Sequence, residues 1–265
     1  LEWAIALSGD PSVPSHEIAQ AAADLPAWPG LAALRRNFER ALYRENPPAK
    51  DVIAAFAKST PQTPVGAAIL ARVNVAQGNA QAAHTVLAPL WRKAVMSADD
   101  EQAIISEFGS LLTADDHFHR MSAMLYAERP ASAGRVAKLA NSEPLFAAWS
   151  AAIRKDAKTA GFVKVVPAEA QKLAGYQFAK ALWLRKTGKL KDAAKVMAEA
   201  PQDAASLIDP DAWWNERRIL ARSLWDAGQT KLAYKTASMH AAQSPTSAAE
   251  AEFHAGWIAL RALKD

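Results

Sequence analysis

The chain contains no cysteine among its 265 residues, which excludes a disulfide framework, a thiolate metal site and a thiol nucleophile. That composition fits an oxidising compartment. No stretch approaches eighteen uninterrupted apolar residues, so no membrane span is expected. Nothing alternates with period two over a useful length, which removes the half-buried strand. The one β-leaning run, Phe162 to Val166, meets Pro167 and reads as an extended linker. H-E-x-x-H, Walker, G-x-G-x-x-G and G-x-S-x-G motifs are all missing. Glycine is scarce at 11, and the 15 prolines cluster at segment boundaries. What is abundant is alanine, 62 residues by count, which favours helix throughout.

Those alanines are placed. Ala71–Gly78–Ala83, Ala181–Gly188–Ala193 and Ala221–Gly228–Ala233 share the spacing Ala-(six)-Gly-(four)-Ala between apolar, helix-periodic arms. Glycine supplies the left-handed backbone that ends one helix, and small residues on either side let two antiparallel helices touch closely. A fourth copy placed on Arg129 puts Ser122 and Gly134 at the contact positions. This is the logic of stacked helix–turn–helix repeats. The expected fold is all-α, a right-handed superhelix of tetratricopeptide-like repeats with about fourteen helices, from 15–24 to 247–264. Residues 1–265 read as one domain, with a bend near 159–167. Ser15, Thr113 and Asp211 are read as helix-start signals.

In the last helix, Phe253, Gly256, Trp257, Leu260 and Leu263 or Lys264 fall on one face, read as the packed face. Gly256 in mid-helix costs about 1 kcal/mol against alanine, so close approach of a preceding helix is expected there. Trp183, Trp213, Trp225 and Trp257 occupy core positions in this reading, and Trp28 and Trp149 are the candidates for exposure.

The net charge of +4 conceals an asymmetry. Residues 150–195 carry eleven Lys and Arg against three acids, whereas 97–116 hold six acids and no Lys or Arg. Lys180, Arg185, Lys186, Lys189, Lys191 and Lys195 are the candidate contacts for an anionic polymer. Nucleic acid is disfavoured, because exposed aromatics interleaved with Arg clusters are missing. His117 and His119 beside Asp115 and Asp116 resemble a ligand set, but residues two apart on a helix diverge by about 200°. The paired carboxylates sit at expected helix starts, where the helix dipole favours them. No metal, cofactor or catalytic group is implied.

Longer strings resemble a family. The run Asp209-Pro210-Asp211-Ala212-Trp213-Trp214-Asn215-Glu216-Arg217-Arg218 continues through Leu220-Ala221-Arg222 to Ala233-Tyr234, and Ala251-Glu252-Phe253-His254-Ala255-Gly256-Trp257-Ile258-Ala259-Leu260-Arg261 follows. Earlier matches include Leu1-Glu2-Trp3, Trp28-Pro29-Gly30-Leu31 and Trp183-Leu184-Arg185. Together these resemble the N-terminal superhelical (U-type) region of soluble lytic murein transglycosylases of alphaproteobacterial type. The resemblance implies a periplasmic protein acting on peptidoglycan. A separate lysozyme-like domain of that family cleaves the glycan to 1,6-anhydromuramyl products, using one glutamate and no cofactor.

The family's catalytic Glu-Ser, Gly-Leu-Met-Gln and Asn-Ala-Gly strings do not occur here. The expectation is therefore a non-catalytic helical scaffold that positions glycan strands. Its partners would be glycan strands, stem peptides and other cell-wall proteins, with no nucleic acid and no membrane span, and cleavage is expected from a C-terminal domain not present in this chain. The alternative is a helical-repeat protein–protein scaffold unrelated to wall cleavage.

Overall fold

The computed structural model describes residues 1–263. Among them are seventeen α-helices and no strand. By their contacts the helices fall into two compact units, Leu1–Asp116 and His117 onward. The first holds α1 (Glu2–Ser8), α2 (Ser15–Asp24), α3 (Leu31–Glu45), α4 (Ala49–Phe56), α5 (Pro64–Ala76), α6 (Ala80–Lys93) and α7 (Ala98–Phe108). The division falls inside α8 (Ala114–Tyr126). The second unit continues with α9 (Pro130–Val136), α10 (Glu143–Arg154), α11 (Thr159–Val165), α12 (Ala174–Lys186) and α13 (Leu190–Glu199). It ends with α14 (Ala204–Leu207), α15 (Pro210–Asp226), α16 (Thr230–Ser238) and α17 (Pro245–Ile258), the last running into a π-helical turn at Ala259–Leu263. Lys264, the last residue of the expected final helix, lies outside the described residues.

The count exceeds the expected fourteen because α1, α11 and α14 are helical. The supposed linker Phe162–Val166 lies almost wholly in α11. Its valines are poor helix formers, but Val163 is buried and its carbonyl accepts from the Tyr176 hydroxyl at 3.4 Å. Packing overrides local propensity there.

The hairpin turns explain much of the rest. Gly78, Gly188 and Gly228 have φ of 76°, 76° and 70°. At each, the next residue's N–H bonds the carbonyl five back: Asn79 to Asn74, Lys189 to Leu184 and Gln229 to Leu224, at 2.8–2.9 Å. This is the Schellman closure. Ala71, Ala83, Ala181, Ala193, Ala221 and Ala233 are all fully buried.

The same closure recurs without glycine at Glu128, Asn141 and Lys155, with φ of 53°, 50° and 57°. There Arg129 bonds Met124, Ser142 bonds Ala137 and Asp156 bonds Ala151. The register placed on Arg129 is therefore one residue late. Glu128 holds the left-handed position, and Met121 and Ala133, both fully buried, take the contact positions. Gly134 instead serves the Asn141 turn, where an added Cβ would lie 2.9 Å from Phe146 Cζ.

In the first unit, Trp3, Ala6, Ile18 and Leu34 pack α1 to α3 together, and Leu42, Val52, Phe56, Ile69 and Val73 pack α3 to α5. The fully buried Glu39 on α3 clamps the start of α5 by accepting from the backbone N–H groups of Gln62 and Thr63 and from the Thr63 hydroxyl. Its carboxylate fills the space a Cβ on Gly66 would need.

In the second unit, Tyr126, Trp149, Phe178 and Trp213 form a continuous aromatic contact from α8 through α10 and α12 to α15, with ring centroids 4.7–5.5 Å apart. Trp213 Nε1 donates to the Tyr126 hydroxyl at 2.9 Å. Trp149, expected to be exposed, is fully buried in this cluster, with Gly175 leaving room for its ring.

The stripe expected to pack α17 is its exposed face. Phe253, Trp257 and Leu260 are 64%, 44% and 65% exposed, and nothing lies within 4 Å of a Cβ on Gly256. Ala251, Ala255 and Ile258 pack instead. Small side chains let the neighbouring helix approach, and the large aromatics are left outside.

Candidate functional site

The basic residues of 150–195 do not form one equivalent set. Arg185, on α12, donates from Nε and Nη2 to the two carboxylate oxygens of Glu216 on α15, at 2.5 and 2.9 Å. Glu216 is nearly buried; burial pushes its carboxyl above the usual range, and Arg185 only partly pulls it back. Lys186 Nζ donates to the Ile153 carbonyl at 2.9 Å, and burial pulls its ammonium below the usual lysine range. Both cations are engaged within the fold. Lys180 lies over the Tyr176 ring and Lys189 over the Trp183 ring, at 5.9 and 5.6 Å. Lys189, Lys191 and Lys195 are exposed.

Lys191 and Lys195 are one turn apart on α13, and they border a pocket of about 370 Å³ between α13 and α16. Lys235 of α16 faces it as well, and Arg217 of α15 reaches it from within the core. Ala194, Ala198, Leu232 and Met239 give the pocket an apolar lining. Glu199 is its one carboxylate.

Arg217 is only 2% exposed. Its Nη2 donates to the Met197 carbonyl at 2.7 Å, and its guanidinium stands 5.9 Å from the Trp213 ring centroid. Nη1 is buried with no hydrogen-bond partner among the described residues. Burial pulls the guanidinium pKa down to about 10, with no carboxylate offsetting it. Arg217 and Lys235 are the site residues the sequence reading missed. The available signal was an arginine set on the buried stripe of α15, four residues after Trp213 and three before Leu220.

A second polar group gathers around Asp116, whose side chain is fully buried at the start of α8. The Thr113 N–H and hydroxyl donate to Asp116 Oδ2 at 2.8 and 2.7 Å, and the Arg92 Nε donates to Oδ1 at 2.8 Å. His84 Nε2 lies 2.9 Å from Oδ2. Burial opposes ionisation, but these hydrogen bonds outweigh it and hold the carboxyl far below the usual range. The arrangement caps a helix. Among the described residues no group of three or more His, Cys, Asp or Glu is disposed to hold a metal ion.

The two longest strings of the family resemblance meet in space. Glu250, one residue before the second string, accepts from Trp214 Nε1 at 3.0 Å and from Arg218 Nη1 at 2.5 Å. Arg222 reaches His254 Nε2 at 2.7 Å, and the Trp214 ring packs edge-on against His254. Asp209 caps α15 by accepting from the Ala212 N–H at 2.9 Å, with Pro210 at the first helical position. Asp211, the expected start signal, instead accepts from the Gln243 and Ser244 N–H groups ahead of α17. Among the earlier matches, Trp3 packs edge-on against Trp28 at 5.5 Å. Comparison with protein-family models, curated proteins and solved structures finds no match to the chain.

Proposed function

We propose that this chain is the non-catalytic helical scaffold portion of a periplasmic lytic transglycosylase, holding peptidoglycan strands for cleavage by a separate catalytic domain. The observation that carries the reading is the clasp between α15 and α17. Residues of the two strings that carry the resemblance tie these helices together, Trp214, Arg218 and Arg222 on one side and His254 on the other, with Glu250, just ahead of the second string, completing the clasp. A string whose residues hold two helices together is harder to obtain by coincidence of alanine-rich composition than a string of surface residues would be. The exposed cations Lys189, Lys191 and Lys195 supply attraction for wall carboxylates. The non-catalytic half is tested by incubating the chain with purified murein and chromatographing the soluble products. Absence of 1,6-anhydro-muropeptides is expected, and their release by this chain alone would refute it.

One observation favours a second reading, a scaffold for another protein. Phe253 and Trp257 stack at 6.0 Å with an interplanar angle of 21°, and with Leu260 they expose an apolar strip on α17 and its π-helical turn. A stoichiometric complex with a purified protein, lost in Phe253→Glu and unaccompanied by murein binding, would favour that reading.

A further inference from the structure

We infer that the pocket between α13 and α16 binds a small organic ligand bearing a doubly charged oxyanion, either a phosphate monoester or a pair of carboxylates. This site is independent of the wall-scaffold reading and would stand if that reading failed. Four cations border the pocket, Lys191, Lys195, Lys235 and Arg217, against the single carboxylate of Glu199. No ion pair neutralises any of the five among the described residues.

Surface lysines alone would be unremarkable, since a solvated helix face carries them freely. Arg217 is different. A buried guanidinium without a counter-ion is costly, and folds retain one rarely unless something neutralises it. Its neighbours offer it a carbonyl and an indole face, neither of which carries a charge. Glu216, the adjacent acid, is occupied by Arg185 on both of its oxygens. Arg217 is therefore placed as the fixed charge at the back of the pocket, with the three lysines closing over an anion from the rim.

Size and lining set the ligand class. A volume of about 370 Å³ falls in the range of small-molecule sites, roughly 300–1,000 Å³, and far exceeds a bare phosphate. Leu232, Met239, Ala194 and Ala198 provide an apolar wall for a carbon skeleton. The charge balance selects a dianion, because a single carboxylate would leave most of the local positive charge unmatched. Thr236, also lining the pocket and mostly buried, offers a hydroxyl to an oxyanion.

The test is thermal unfolding of the chain titrated with inorganic phosphate, with succinate, and with sodium chloride at matched ionic strength. Either dianion is expected to raise Tm saturably, where chloride does not. Response to phosphate alone assigns a phosphate monoester, and response to succinate alone assigns paired carboxylates. Lys235→Ala, an exposed position, should weaken the apparent Kd about tenfold without changing the ligand-free Tm. Arg217→Met should abolish the response while leaving the ligand-free Tm at or above that of the parent, since it removes an unpaired buried charge. If Arg217→Met does not fold, the Lys191→Ala and Lys235→Ala double variant carries the comparison, with loss of saturation expected. A chain that responds to neither dianion beyond chloride, or a folded variant that binds as tightly as the parent, overturns the inference.

Discussion

A left-handed backbone is free for glycine and costs an L-residue about 1–2 kcal/mol, so each hairpin turn poses its own experiment. At Gly188 an added Cβ meets nothing within 4 Å, and Gly188→Ala isolates the backbone term. A loss of about 1 kcal/mol is expected in denaturant melts, or a Tm lower by a few degrees. Lys155→Gly should have the opposite sign, a gain of about 0.5–1 kcal/mol at most, because the freedom of glycine in the unfolded chain offsets part of the relief. Equal signs for the two would contradict the turn assignment. These positions also show what residues reveal unaided. Where glycine marks the turn, the Ala–Gly–Ala spacing locates it to the residue. Where Glu128 and Lys155 adopt the same φ, nothing in the side chain announces it, and the register slips to Arg129; Asn141 is a residue type that takes this region readily. Gly256 has the right letter and no neighbour.

Between helices, the polar contacts divide into those that fasten and those that burden. Arg185→Met should cost about 3 kcal/mol by leaving the nearly buried Glu216 without its partner, whereas adding Glu216→Leu should recover most of that loss. A double variant no better than the single would mean the pair itself is strongly favourable. Asp116 behaves differently. Its native carboxyl titrates below the unfolded value of about 3.9, so its contribution is complete above that pH and disappears as pH falls beneath it. Asp116→Asn should therefore lose about 2 kcal/mol at neutral pH, with a shallower acid limb in a stability–pH profile. An identical loss at pH 7 and in strong acid would count against the capping role. The longer helices were readable from caps and periodicity, whereas the short α1, α11 and α14 were not, and helix faces were less legible still. On α17 two stripes compete, and periodicity favoured Phe253 and Trp257 although Ala251 and Ala255 are what pack. Large side chains dominate a hydrophobicity pattern, while close helix packing selects small ones. Trp149 errs in the reverse direction, because the space made for it by Gly175 lies 26 residues away along the chain.

For the chain as a unit of function, composition and turn spacing were enough to exclude thiol chemistry and to indicate the all-helical fold of the described residues. They could not assemble a site. Lys191 and Lys195 were visible as a basic pair, but Arg217 belongs to α15 and Lys235 to α16, and only the fold brings them to one pocket. Likewise Arg185 and Lys186, indistinguishable from their neighbours as letters, are taken up by Glu216 and the Ile153 carbonyl. Of the six candidate contacts, Lys189, Lys191 and Lys195 are the ones left exposed as a surface for an anionic polymer. Co-sedimentation of the purified chain with murein sacculi at low and moderate salt measures that surface. Saturable retention is predicted, weakened several-fold by Lys189→Glu with Lys191→Glu and falling as salt rises. A chain that stays in the supernatant at low salt, or that pellets equally well with both lysines reversed, would contradict the proposed wall-binding role.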